Sequence, residues 1–192
     1  MSTNRILVDA KIYDEFVERF VAKVKSFKVG NPNEPDTFIG PIINAKQLQG
    51  LQYHIKTAQA GGARQLLGGD AVGQVLPPHI FVDVKNDMLL AQTELFGPVA
   101  PIIKFQNEAE ALQIANDTPY GLSGAVFTRD EGRGLKFALG VKAGMTHIND
   151  CSVDDTPTGP FGGEKNSGLG RFGGEWIIEE FTRVHWITIR HG

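Results

Sequence analysis

A single cysteine, Cys151, stands among the 192 residues, so no disulfide can close within the chain and nothing marks a secreted, disulfide-stapled scaffold. Long apolar runs are equally scarce. None approaches the ~18 residues of a membrane-spanning helix, and Met1–Arg5 has no apolar signal-peptide core. The expectation is a cytoplasmic protein with no membrane partner. Excess positive charge is lacking too. Nineteen Lys and Arg face 22 Asp and Glu for a net charge of −3, which offers no footprint for nucleic acid and no polybasic stretch for anionic lipid. The five histidines are scattered without metal-ligand spacing, so no metal site is expected. There is no Ser/His/Asp constellation, internal repeat or low-complexity tract.

What is present is an ordinary globular composition, 41% hydrophobic and 21% charged, in a length that fits one large domain or two small ones. Ile6-Leu7-Val8 reads as a short buried strand. Phe16, Val17, Phe20, Val21, Val24 and Phe27 then recur at helical period, with Glu18, Arg19, Lys23 and Lys25 on the other side. Asn44 and Gln47 have the spacing of a capping box ahead of Leu48, Leu51, Ile55 and Ala58, and Gly61-Gly62 is the matching stop. Strands are predicted at 80–84 and 99–105, a helix capped by Asn107 and Glu110, a strand at 123–128, a helix at 132–139 and a strand at 144–149. Alternation of this kind predicts an α/β fold with a largely parallel sheet and helices on both faces.

The tail breaks this pattern. Residues 150–175 form a long loop dense in Gly, Pro, Asp and Ser, followed by a short helix near 175–181 and an alternating segment, Val184–Arg190, that reads as a strand needing a partner from another subunit. Within the loop, Gly168-Leu169-Gly170-Arg171-Phe172-Gly173 satisfies G-x-G-x-x-G. A dinucleotide-binding turn requires a strand before the first glycine and a βαβ unit after it. Neither is available, so the glycines are expected to serve backbone geometry.

The same stretch, from Pro160-Phe161-Gly162-Gly163 through Lys165, Ser167, Gly168, Gly170 and Arg171, resembles the P-F-G-G-x-K-x-S-G-x-G-R segment of aldehyde dehydrogenases. Glu94-Leu95-Phe96-Gly97-Pro98 is similar to that superfamily's E-x-F-G-P motif, and Asn116 through Tyr120-Gly121-Leu122 to its N-x-x-x-Y-G-L. Val29-Gly30-Asn31-Pro32 and Ile39-Gly40-Pro41 agree in the expected order. On these motifs the chain is identified as a member of the superfamily. The likeness covers the whole chain and implies its catalytic domain over residues 1–175, with a short helix and an oligomerisation strand over 176–192.

The resemblance implies a chemistry. A cysteine thiolate attacks the aldehyde carbon, the thiohemiacetal gives hydride to NAD or NADP, and water activated by a glutamate hydrolyses the thioester. Ser2-Thr3-Asn4-Arg5 is similar to the residues just after that cysteine in the family, which places the nucleophile immediately before Met1. The general-base glutamate, the oxyanion-hole asparagine and the nucleotide-binding domain belong further upstream, so no catalytic residue is assigned within the chain. The isolated chain is expected to be inactive and to bind the dinucleotide weakly or not at all. Cys151 is not expected to replace the nucleophile, because Asp150, Asp154 and Asp155 surround it with negative charge.

Two cofactor contacts carry over by resemblance. Glu94 is expected to accept hydrogen bonds from both hydroxyls of the nicotinamide ribose, and Phe96 to pack near the nicotinamide ring. Gly97 and Pro98 would fix the turn that aims them. Cys151, Val153 and Phe161 would line the aldehyde channel, while Arg171 would tie its loop down. His147-Ile148-Asn149-Asp150, Arg171-Phe172-Gly173-Gly174 and Trp186-Ile187-Thr188-Ile189 are similar to the benzaldehyde and vanillin dehydrogenase branch, which makes an aromatic aldehyde the first substrate expectation; small aliphatic aldehydes and semialdehydes stay open. The terminal strand implies a homodimer or homotetramer. A stand-alone assembly module and a half-enzyme completed in trans are the competing readings.

Overall fold

The computed structural model describes residues 1–192, which form two compact units, Ser2–Thr118 and Pro119–Gly192 together with Met1. The first unit runs β1 (Ile6–Asp9), α1 (Tyr13–Lys25), β2 (Lys28–Val29), β3 (Thr37–Ile39), α2 (Ala45–Ala60), β4 (Arg64–Leu67), β5 (His79–Val82), α3 (Leu89–Gln92), β6 (Val99–Phe105) and α4 (Glu108–Asn116). Its sheet has the order β1-β6-β5-β4. β6 runs parallel to both β1 and β5, and β4 closes the edge antiparallel to β5. The expected α/β class with a largely parallel sheet is found.

The period-2 geometry of β5 and β6 splits the core into two layers. Ile80, Val82 and Ile102 face one way and pack with Val8, Tyr13 and Val24, the last two from α1. Phe81, Val99 and Ile103 face the other way and pack with Leu48, Leu51 and Ile55 of α2. Because both faces are covered, β5 carries no exposed residue. The Asn44 carboxamide accepts from the Gln47 backbone N–H at 2.8 Å, so the predicted N-cap is formed. The return bond of a capping box is absent: the Gln47 side chain instead donates 2.6 Å to the Leu95 carbonyl. At α4 the Asn107 side chain accepts from Glu110 N–H, while the Glu110 carboxylate reaches back one residue further, to Gln106 N–H.

The second unit holds β7 (Tyr120–Gly121), β8 (Ser123–Val126), α5 (Glu131–Gly140), β9 (Met145–Ile148), β10 (Glu164–Lys165) and α6 (Trp176–Phe181). β8 and β9 pair in parallel across α5, and β7 pairs antiparallel with β10. The expected strand Val184–Arg190 is not formed within this chain. The segment has no ladder partner, and Val184, Trp186, Ile187 and Ile189 are 70–97% exposed. A strand exists only through its neighbour's hydrogen bonds, so the alternation of side chains alone cannot make one. No helix is long and apolar enough to cross a membrane.

Candidate functional site

Glu94 and Phe96 lie on the turn between α3 and β6. Leu90 and Ala91 of α3 are each 1% exposed and root the turn on one side, and Val99 begins β6 on the other. Between them Leu95 is driven into the α2 layer, with 3% of its surface exposed. Both polar groups of its backbone are held by side chains from elsewhere. The Leu95 N–H donates to Asn4 Oδ1 at 3.2 Å, and the Leu95 carbonyl accepts from Gln47 Nε2 at 2.6 Å. Asn4 Nδ2 donates in turn to the Ala91 carbonyl at 3.3 Å.

With Leu95 fixed inward, its two neighbours project outward. Glu94 is exposed, and its carboxylate accepts no hydrogen bond and forms no ion pair within the chain. Phe96 is 56% exposed and sits at φ +43°, a left-handed conformation that a bulky residue adopts only when its surroundings impose it. The following residue supplies the constraint. A Cβ at Gly97 would lie 2.5 Å from Leu51 Cδ1 and 2.9 Å from Cδ2, so only glycine lets the backbone approach the buried face of α2. The Gly97 carbonyl then accepts from Val99 N–H at 2.7 Å, which closes a tight turn over Pro98. A free carboxylate beside a half-exposed aromatic ring fits a vicinal diol next to a flat heterocycle, the two features of a nicotinamide riboside.

In the second unit, the loop after β9 carries the expected channel residues. Asn149 holds its start, at φ +58° with Oδ1 accepting from Thr128 N–H at 2.8 Å. Ser123 Oγ donates to the Ser152 carbonyl at 2.7 Å. Cys151 is exposed; its N–H donates to Asp150 Oδ1 at 2.7 Å, and its thiol donates to the Val153 carbonyl at 3.3 Å. Cys151 and Val153 are thus brought together. His147 Nδ1 stands 4.0 Å from Asp154 Oδ2. Phe161 is half-buried at the far end of the loop, where it exchanges two backbone hydrogen bonds with Phe172, at 2.8 and 2.7 Å. Phe172 in turn packs its ring 5.8 Å from that of Phe181.

The glycine-rich string turns inward. Arg171 Nη1 donates to the carbonyls of Gly163 and Gly170 at 3.0 and 2.8 Å, Nη2 pairs with Glu164, and the Arg171 N–H donates to the Glu180 carboxylate at 3.0 Å. A Cβ at Gly162 would lie 2.3 Å from the Gly170 carbonyl oxygen. The glycines allow two backbone strands to touch, and Arg171 locks the result with its planar fork. Nothing in the sequence marks Asn4 and Gln47 as holding the Glu94–Phe96 turn; Asn4 stands there only within the Ser2–Arg5 likeness. Gln47 was visible there only as half of a cap.

Known proteins resemble this chain over nearly all of its length. The family model described as "Aldehyde dehydrogenase family" matches residues 1–187. Benzaldehyde dehydrogenase YfmT of Bacillus subtilis is 50% identical over 100% of this chain and 39% of its own length. A vanillin dehydrogenase of Corynebacterium glutamicum is 47% identical over 99% of this chain and 39% of its own. The crystal structure of a salicylaldehyde dehydrogenase from Pseudomonas putida G7, complexed with salicylaldehyde, gives a TM-score of 0.94 at 43% identity, covering 99% of this chain and 40% of that one. That of a Mycobacterium tuberculosis aldehyde dehydrogenase complexed with NAD+ gives 0.89 at 39% identity, over 94% of this chain and 38% of that one. The chain therefore spans about two fifths of the length of the relatives it matches.

Proposed function

Because this chain belongs to the aldehyde dehydrogenase family, we propose that it supplies the nicotinamide-ribose contact and part of the aldehyde channel of an NAD(P)-dependent oxidoreductase that converts an aromatic aldehyde to its carboxylic acid. The observation that carries this reading is the Glu94–Phe96 turn, which presents a free carboxylate and a half-exposed ring from a backbone pinned at Leu95. When bound, the nicotinamide would accept hydride from the substrate carbon. Glu94 would take one ribose hydroxyl proton on each oxygen and so fix the sugar, while Phe96 would cover the ring and keep water from it. Cys151, Val153 and Phe161 would bound the aldehyde's apolar part, with Val153 51% exposed and available for contact. Relatives named for benzaldehyde, vanillin and salicylaldehyde support the aromatic class.

In this reading residues 1–175 are the catalytic-domain portion, and 176–192 serve assembly into a homodimer or homotetramer. The 192 residues alone do not turn over. Their one thiol, Cys151, donates to the Val153 carbonyl and borders Asp150, and this reading assigns it to the channel lining and not to the nucleophile. NADH formation from benzaldehyde tests the proposal, assayed with the chain alone and after joining or mixing with an upstream half that carries the nucleophilic cysteine. The chain alone is expected to give none. The completed enzyme should oxidise benzaldehyde and vanillin in preference to a short aliphatic aldehyde, and Cys151→Ser should keep turnover, its effect confined to KM for the aldehyde. Glu94→Gln should cost about tenfold or more in kcat/KM for NAD, since charge-assisted hydrogen bonds contribute about 1.5–3 kcal/mol each. Turnover by the chain alone that Cys151→Ser abolishes would move the nucleophile to Cys151 and sink the assignment.

A further inference from the structure

We propose that Asn4 is a positioning residue that sets the Glu94–Phe96 turn against the segment leading into β1; the inference rests on the reading of Glu94 and Phe96 as cofactor contacts. Asn4 is half-buried and uses both ends of its carboxamide. Oδ1 accepts from Leu95 N–H at 3.2 Å, and Nδ2 donates to the Ala91 carbonyl at 3.3 Å, so one side chain spans the turn from the end of α3 to its centre. Neither bond is local: the partners lie 87 and 91 residues away.

The neighbour of Asn4 makes it a rigid anchor. The Arg5 guanidinium donates to the carbonyls of Ile114 and Ala115 at 2.7 and 3.0 Å and to Asn86 Oδ1 at 2.7 Å, which moors the segment to the C-terminal end of α4. Ile6 then enters β1, paired with Ile102 of β6. Asn4 cannot drift without breaking that mooring. The turn it holds is one the chain would not adopt unaided, because Phe96 sits at φ +43°. With Leu95 N–H released, one of the two constraints on the strained residue's neighbour is gone, and the Gln47 bond to the Leu95 carbonyl is the one that remains. Asn4 would thus act through Leu95 on the direction of Glu94 and Phe96, without touching the cofactor itself.

Backbone amide exchange on the 192-residue chain, and nicotinamide mononucleotide titration on the chain joined to its upstream half, both read by NMR, test this together. The mononucleotide carries the nicotinamide ribose without the adenylate half, so it probes the turn at millimolar concentrations. Three variants are compared, Asn4→Ala, Asn4→Asp and Glu94→Gln. Asparagine to aspartate keeps an acceptor for Leu95 N–H but sets a carboxylate oxygen against the Ala91 carbonyl, where two acceptors repel. The expected result in Asn4→Ala is about tenfold faster exchange at Leu95, with the α2 amides of Leu51 and Ile55 within about twofold of the parent. The dissociation constant read from the Glu94 and Phe96 amide shifts should rise about fivefold or more, and Asn4→Asp should recover part of the Leu95 protection. Glu94→Gln should remove the shifts while leaving Leu95 exchange unchanged.

Unchanged Leu95 exchange in Asn4→Ala overturns the clamp. Faster exchange with unaltered mononucleotide affinity overturns the positioning role and leaves Asn4 a structural residue. If the joined parent protein shows no shift at Glu94 or Phe96, the cofactor reading fails and the positioning role falls with it, while the exchange data still judge the clamp separately.

Discussion

Replacing Gly97 by alanine adds one methyl group at the place where the candidate cofactor turn meets the core. Gly97 does not occupy the left-handed region, so alanine incurs no backbone strain there and the effect is one of space. The new Cβ would stand 2.5 Å from Leu51 Cδ1, 2.9 Å from Cδ2 and 3.2 Å from Cγ. Carbon atoms prefer about 3.5–4.0 Å, so the leucine tip or the turn must retreat by about 1 Å. Leu51 has little room to yield, being 1% exposed and packed in the same layer as Leu48, Ile55, Leu90 and Leu95. Overpacking of this kind costs about 1–3 kcal/mol. For a chain of this length about 2 kcal/mol corresponds to a loss of roughly 4–8 °C in Tm, measured by far-ultraviolet circular dichroism. The mechanism makes a sharper claim through a second variant. Leu51→Ala alone opens a cavity at a cost of about 2–5 kcal/mol, and the Gly97→Ala methyl would point into it. The double variant should therefore cost less than the sum of the singles, with a coupling of about 0.5–3 kcal/mol. Strict additivity, or a Gly97→Ala chain as stable as the parent, would refute the steric account.

Two further outcomes are expected. Arg5→Lys should destabilise the chain by about 1–3 kcal/mol in urea titration, because one ammonium cannot replace a fork that reaches the Asn86 side chain and the Ile114 and Ala115 carbonyls together; Arg5→Met should cost more, since it leaves those acceptors at the α4 terminus unsatisfied. His79 gives the chain a pH dependence. It is 4% exposed, and burial lowers its pKa from the ordinary 6.5 against smaller raising effects of the Pro77 carbonyl bond and of Asp70. Its Nδ1 lies 2.8 Å from the Pro77 carbonyl, and Nε2 accepts from Gly69 N–H, a bond that a proton on Nε2 would abolish. Below pH 6.5 the unfolded chain takes up the proton before the folded one does, so stability is complete above that pH and declines as the pH falls below it. Burial lowers His54 as well, so His79→Gln should flatten the fall in urea midpoint between about pH 7.5 and 5.5 without erasing it. An unchanged slope in His79→Gln would contradict this assignment.

Local features of the chain were legible without coordinates because their causes are local. The α1 stripe from Phe16 to Val24, the caps at Asn44 and Asn107, and the β-branched run of β6 each depend on residues within a few positions of one another, and all are found. The motifs of the Glu94 turn and of the Pro160–Arg171 segment were legible as a resemblance, and the family match over residues 1–187 agrees with it. Short elements escaped: β4 is a strand only because β5 offers it an edge, and β2 and β3 exist only as a pair. Val184–Arg190 pairs with no strand of its own chain, and its alternation already pointed the pairing to another subunit. The sequence by itself thus determined helix faces, caps and the chemical character of the candidate site. Only the tertiary structure decided what holds that site in place, because the bonds from Asn4 and Gln47 to Leu95 cross 91 and 48 residues and no local period or propensity encodes contacts of that span.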